Sequence, residues 1–312
     1  MEQKGTGSPR GAVLLVTVAS LAFAVSGPVA RLARPAHPVF VACGRVALAA
    51  MILFAIDPGG VVRSARALAP ANRLRILLCG ALLGVHFALF LAGLDRTSLP
   101  AAVTLVSLEP VSVVLCALLV HGVRPTRREQ IGVLLATAGA AVMASAAGSG
   151  EHQIAGDLLV LAAVALYGLY VAVARSLKDA LPPRQAGALI YATAALTIGV
   201  ALVPLGAHEG IGALPIGSFL AIFALAVIPT LVGHTSVQAA ARHLSPAIVA
   251  LVSPGETLGG LVIGAALLGA IPTWREIAGA AVILAGCSIT IVGPAPPPVL
   301  DGAKADERPL QS

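Results

Sequence analysis

GVRPTRREQIG at residues 122–132 and GAIPTWREIAG at residues 269–279 carry the same P-T-x-R-E-x-x-G string. A shift of 147 positions (122 to 269) extends the match outward without a gap: Ser98 falls on Ser245, Glu109 on Glu256, Ala138 on Ala285 and Gly139 on Gly286. Chance is a poor explanation for one register kept over this length, so the chain reads as two copies of one unit.

Composition says what the unit is built for. Hydrophobic residues make up 58% of the chain and charged residues 11%, against roughly a quarter charged in soluble domains, and the mean hydropathy is +0.94. Lipid is the expected solvent. Apolar runs long enough to span occur at 11–30, 38–56, 76–94, 98–120 and 131–147, then at 158–174, 186–205, 219–241, 246–268 and 277–292. Without barrel-like alternation these cross as helices, since only helices and closed barrels satisfy the backbone in hydrocarbon. The expected fold is therefore an all-α integral membrane protein of ten transmembrane helices. Its expected parts are an N-terminal tail (1–10), two five-helix repeats (11–150 and 151–293) and a Pro-rich, charged tail (294–312). Lys4 and Arg10 before the first run suggest a signal peptide, but that run is long enough to span and nine more follow.

An odd number of spans per repeat turns the second copy upside down, the inverted plan of many secondary transporters. The loops agree: Arg124 and Arg127 become Ile271 and Trp274, so basic charge disappears and an interfacial aromatic takes its place. Of the 20 Lys and Arg, fifteen fall on the side of the N-terminus and four on the other, with Arg45 inside a span. The positive-inside rule then puts both termini in the cytoplasm of a multi-pass protein of the cell membrane. The net charge of +6 is thus a topology signal; no aromatic-interleaved basic face suggests nucleic acid. Cys43, Cys79, Cys116 and Cys287 lie in apolar runs without CxxC spacing, which argues against a metal site or a disulfide framework.

Three charged side chains fall well inside spans: Arg45, Glu109 and Glu256. Each costs on the order of 2.5 to 3.5 kcal/mol at a helix centre on insertion scales and so calls for a function or a partner. The glutamates occupy equivalent repeat positions beside helix breakers, Glu109 before Pro110 and Glu256 after Pro254-Gly255. A proline frees a carbonyl one turn upstream, which places a carboxylate beside unwound backbone as in the broken helices of transporters. On the functional reading Glu109 or Glu256 binds a proton or a cationic substrate group in alternation. On the structural reading Glu109 pairs with Arg45 and Glu256 bonds a neighbouring helix. His86 and His234 sit mid-span in the third helix of each repeat, where imidazole can relay protons or fill core space. Ser26-Gly27-Pro28 is a candidate kink and hinge. There is no Walker lysine, H-E-x-x-H string or G-x-S-x-G elbow, so neither an ATP-driven pump nor an enzyme is expected, and no cofactor.

These residues resemble the EamA-type transporters of the drug/metabolite transporter superfamily over nearly the whole chain. The resemblance is carried by VGHTS at 232–236, ARHLSP at 241–246 and Glu256, and in the first repeat by LDRTS at 94–98 and SLEPV at 107–111. Gly156-Asp157 and the stretch 167–175 read like the family's second-repeat start. The resemblance implies ten helices, an inverted repeat and export of amino acids, related metabolites or toxic compounds without ATP. It directs attention to Glu109, Glu256, His234 and Arg45. One departure is plain: the glutamate that commonly follows Leu-Gly near the ends of helices four and nine is replaced by Val123 and Ala270.

The repeat plan and the resemblance together lead to the expectation of a secondary carrier with a cavity lined by helices one, three, four, six, eight and nine; export of amino acids or related small metabolites is what the resemblance implies, with protons as candidate coupling ion. Multidrug export, a channel and a membrane assembly protein with structural glutamates stay open as alternatives, as do the monomer and the homodimer. With aromatics at 4%, few rings are available for a cage around large aromatic cations, which favours small polar solutes.

Overall fold

The computed structural model describes residues 9–97, 99–145, 153–268 and 273–291. The tails expected at 1–10 and 294–312 lie outside these residues, apart from Pro9 and Arg10, and so does the connection 269–272. Nearly everything described is helix. The first half runs α1 (Pro9–Ala24), α2 (Ser26–Leu32), α3 (Pro38–Ile56), α4 (Pro58–Ala67), α5 (Pro70–Arg96), α6 (Leu99–Val106), α7 (Glu109–His121) and α8 (Arg127–Ala144). The second half runs α9 (Ile154–Arg175), α10 (Pro183–Leu202), α11 (Ile216–Leu225), a π-helical segment (Ala226–His234), α12 (Thr235–Ala240), α13 (Pro246–Ala250), α14 (Val252–Leu268) and α15 (Trp274–Ile291).

Seven helices among the described residues are long and apolar enough to cross a membrane: Gly11–Leu32, Pro38–Ile56, Pro70–Arg96, Ile154–Arg175, Pro183–Leu202, Ile216–Ala240 and Trp274–Ile291. The other three expected spans are helical too, and each falls short for a local reason. Ser107-Leu108 separates α6 from α7 just before Pro110, and Leu251 separates α13 from α14 three residues before Pro254. The break between α1 and α2, at Val25, likewise lies three residues before Pro28. A pyrrolidine ring removes one N–H and crowds the preceding turn, so each helix parts one turn upstream of its proline. In α8 the first turn is taken by Arg127, Arg128 and Glu129, which shortens the apolar stretch.

The gap expected between the second and third spans holds a helix of its own. Asp57 caps α4 by accepting from the Gly60 N–H at 2.8 Å, and Pro58 fits the first helical turn. α5 then begins at Pro70, well before the apolar run, because an α-helix need not stop where hydrocarbon does.

The repeated P-T-x-R-E string is a capping box used twice. Glu129 accepts from the Thr126 N–H at 2.8 Å while Thr126 Oγ1 accepts from the Glu129 N–H at 3.2 Å. Thr273 and Glu276 repeat the pair at 2.6 and 3.3 Å to start α15.

Packing between the halves comes in exchanged pairs. α5 lies on α9 and α1 on the π segment and α12; α7 lies on α9 and α1 on α14; α5 lies on α10 and α3 on the π segment and α11. α3 meets α10 and α8 meets α15, each helix against its own counterpart. The α8–α15 contact shows the exchange at single residues. A Cβ on Gly132 would lie 2.7 Å from the Gly286 carbonyl oxygen, and a Cβ on Gly139 would lie 2.8 Å from that of Gly279. Since Gly132 matches Gly279 and Gly139 matches Gly286, both are one contact seen from either half, and only glycine lets the backbones so close.

Candidate functional site

Where the breaks cluster, the interior is polar. α11 ends at Leu225, whose carbonyl in a continuous α-helix would take the N–H of residue 229, but Pro229 has none. The chain widens into the π segment, and Thr230 Oγ1 donates to Leu225 O at 2.8 Å. The same hydroxyl accepts from Arg45 Nε of α3 at 2.9 Å. Arg45 is 1% exposed, and its guanidinium carbon stands 4.0 Å from the centre of the Phe87 ring, a cation–π contact. Among the described residues no carboxylate lies within ion-pairing distance of it. The expected Arg45–Glu109 pair is thus not what holds the arginine: neutral groups from α5 and the second half do.

Glu109 opens α7, directly after the break, and is 7% exposed. Its carboxylate accepts from Ser253 Oγ of α14 at 2.5 Å. Three residues along the same helix, and so on the same face, stands Glu256, whose carboxylate makes no hydrogen bond or ion pair with a described residue. It lines the same cavity as Glu109 and Arg45.

The histidines approach from two sides. His86 places Nδ1 2.8 Å from the Ala163 carbonyl, and because a carbonyl only accepts, Nδ1 carries a proton there. His234, the last residue of the π segment, packs its ring against Phe23 at 4.7 Å, Phe87 at 5.0 Å and Tyr167 at 6.1 Å between centroids. Its Nδ1 is buried without a hydrogen-bond partner among the described residues.

Together these groups line a cavity with Phe23, Ser26, Phe90, Val106 and Pro229. Its volume is about 40 Å³, room for about three water molecules at roughly 10 to 15 Å³ each. All five polar candidates read from the sequence reach it. Pro110 and Pro254 stand beside the two glutamates in the chain, and Pro28 lies two residues beyond Ser26. The helices expected to line the cavity do so, with α3 added through Arg45.

Sequence reasoning missed four supports. Ser253 is one helical turn from Glu256 and Thr230 follows a mid-span proline, both signals that were there to read. Tyr167 and Phe87 were hidden by an average: aromatics are 4% of the chain, yet four of its eleven Phe, Tyr and Trp rings surround this one cavity. A larger recess of about 480 Å³ lies elsewhere, between the α2–α3 connection and residues 206–214, beside the Arg34–Asp95 ion pair at 2.7 Å, and it contains none of the five. Among the described residues no three His, Cys, Asp or Glu side chains are grouped to hold a metal.

The model of the EamA-like transporter family matches the chain twice, over residues 10–145 and 154–292. A protein known from its crystal structure superposes with a TM-score of 0.74 over 90% of this chain and 96% of its own, at 18% identity, which speaks for the fold alone. No curated protein matches the chain by sequence.

Proposed function

The chain belongs to the EamA-like transporter family, and from that premise we propose that it is a secondary carrier exporting amino acids or related small metabolites, coupled to protons at Glu109 and Glu256. The arrangement we infer is ten spans in two inverted five-helix repeats, in the cell membrane with both termini cytoplasmic. α6 with α7, α13 with α14, and α8 supply the three spans beyond the seven long helices. The exchanged packing supports a pseudo-twofold relation between halves, and an odd number of spans per half makes that relation an inversion.

One observation supports the reading: two glutamates from equivalent repeat positions line a single cavity, and one of them, Glu256, makes no hydrogen bond or ion pair with a described residue. A staple between helices accounts for Glu109, which Ser253 holds. It does not account for Glu256. An intramembrane carboxylate of that cost is retained where a proton or a substrate ammonium neutralises it in turn. The cavity admits water but not an amino acid in this conformation, so a solute enters only as the helices around the breaks move, which is carrier rather than pore behaviour.

Counterflow in proteoliposomes tests this. Vesicles loaded with one unlabelled amino acid or small metabolite at a time should accumulate its labelled form transiently and saturably. Flux that rises linearly with concentration and shows no counterflow would replace the carrier with a channel.

A further inference from the structure

We propose that α4 and the first turns of α5 form a docking surface for anionic phospholipid headgroups. α4 is fixed as a platform from both ends. At its start the Asp57 carboxylate is shared between the Gly60 N–H and Gln185 Nε2 of α10, at 2.8 and 2.9 Å. At its end Arg73 of α5 donates to the carbonyls of Leu68 at 2.9 Å and Arg66 at 3.1 Å. Val61 and Leu68 turn inward, while Arg63 and Arg66 stay exposed.

The charge on this surface is uncompensated. Asp57, the one acid near it in the chain, is occupied by its two donors, and among the described residues no carboxylate lies within 4 Å of Arg63, Arg66 or Arg75. Arg75 reaches only Asn72 Oδ1, at 2.8 Å. On the same helix Leu74, Leu77 and Leu78 are 66, 55 and 45% exposed. Guanidinium groups that lead directly into exposed leucines fit a phosphate joined to acyl chains. A nucleic acid or an acidic peptide would use the first and waste the second. Through Gln185 the platform also ties the first half to α10 of the second, so the lipid contacts a joint between the repeats.

The test is native mass spectrometry of the purified full-length chain titrated with phosphatidylglycerol or phosphatidylcholine. The expected result is at least tenfold tighter binding of phosphatidylglycerol, lost in R63Q/R66Q/R75Q, kept in R63K/R66K/R75K and kept in R124Q/R127Q/R128Q, which removes exposed charge at the start of α8. Thermal melting in detergent checks that each variant is folded. Equal binding of the two lipids, or equal loss in both glutamine triples, would overturn the proposal by reducing it to general surface charge. Because the readout is binding, it stands or falls apart from transport.

Discussion

Ser253 and Glu256 share one face of α14 and do opposite things. Ser253 donates to Glu109 at 2.5 Å, so Ser253→Ala strands a buried carboxylate and should cost about 1 to 3 kcal/mol, the usual penalty for an unsatisfied buried group. Glu256 makes no such bond with a described residue, so Glu256→Gln should not lower stability, and relief of an intramembrane charge can raise it, while it removes proton coupling. Melting curves of the two purified variants separate these expectations; a Glu256→Gln protein that melts like Ser253→Ala would make Glu256 a structural group after all. The glutamates and Arg45 were legible in the sequence because charge inside an apolar run stands out. The pairings were not: Ser253 and Thr230 stand at positions that mark them as polar supports, but which charge each one meets depends on residues far apart in the chain, 144 positions between Ser253 and Glu109 and 185 between Thr230 and Arg45.

At the level of elements, proline sets where each helix parts, and the freed backbone decides what the site contains. The π segment is the clearest instance: Pro229 releases the Leu225 carbonyl, Thr230 takes it up, and the same hydroxyl fixes Arg45. Thr230→Val keeps the shape and the i→i+5 backbone bond to Leu225 O but leaves Arg45 Nε unpaired, at about 1 to 3 kcal/mol. Thr230→Ser keeps the hydroxyl and should stay within about 1 kcal/mol of the parent. Thermal melting together with counterflow rates checks both, and a Val variant as stable and active as the parent would show that Arg45 is held by Phe87 alone. The sequence marked the kink at Pro28 and the breaks at Pro110 and Pro254, because proline chemistry is local. It gave no sign of α4, whose ten residues are too few and too polar to register as a span, nor of the π winding, which depends on what packs around it.

Over the whole molecule the two halves close on each other through α8 and α15. A Cβ at Gly132 would stand 2.0 Å from Thr290 Oγ1 as well as 2.7 Å from the Gly286 carbonyl, so Gly132→Val should cost about 3 kcal/mol or more by overpacking against backbone. At Gly199, where an added Cβ meets nothing within 4 Å, alanine should be neutral or stabilising by up to about 1 kcal/mol. Size-exclusion profiles in detergent compare them, and a monodisperse Gly132→Val protein would contradict the packing described. The doubling of the chain was legible from one repeated string, since a capping box and a glycine contact both require fixed spacing. The count of long helices was not, because hydropathy averages over proline breaks that geometry resolves.

Proton movement at the paired glutamates is the step on which coupling depends. In proteoliposomes holding a pH-sensitive dye, a transported solute added to the parent chain should drive proton movement, and the signal should vanish in Glu256→Gln while counterflow of the same solute persists or slows. A proton signal of parental size in both Glu109→Gln and Glu256→Gln would contradict the account and place the coupling elsewhere.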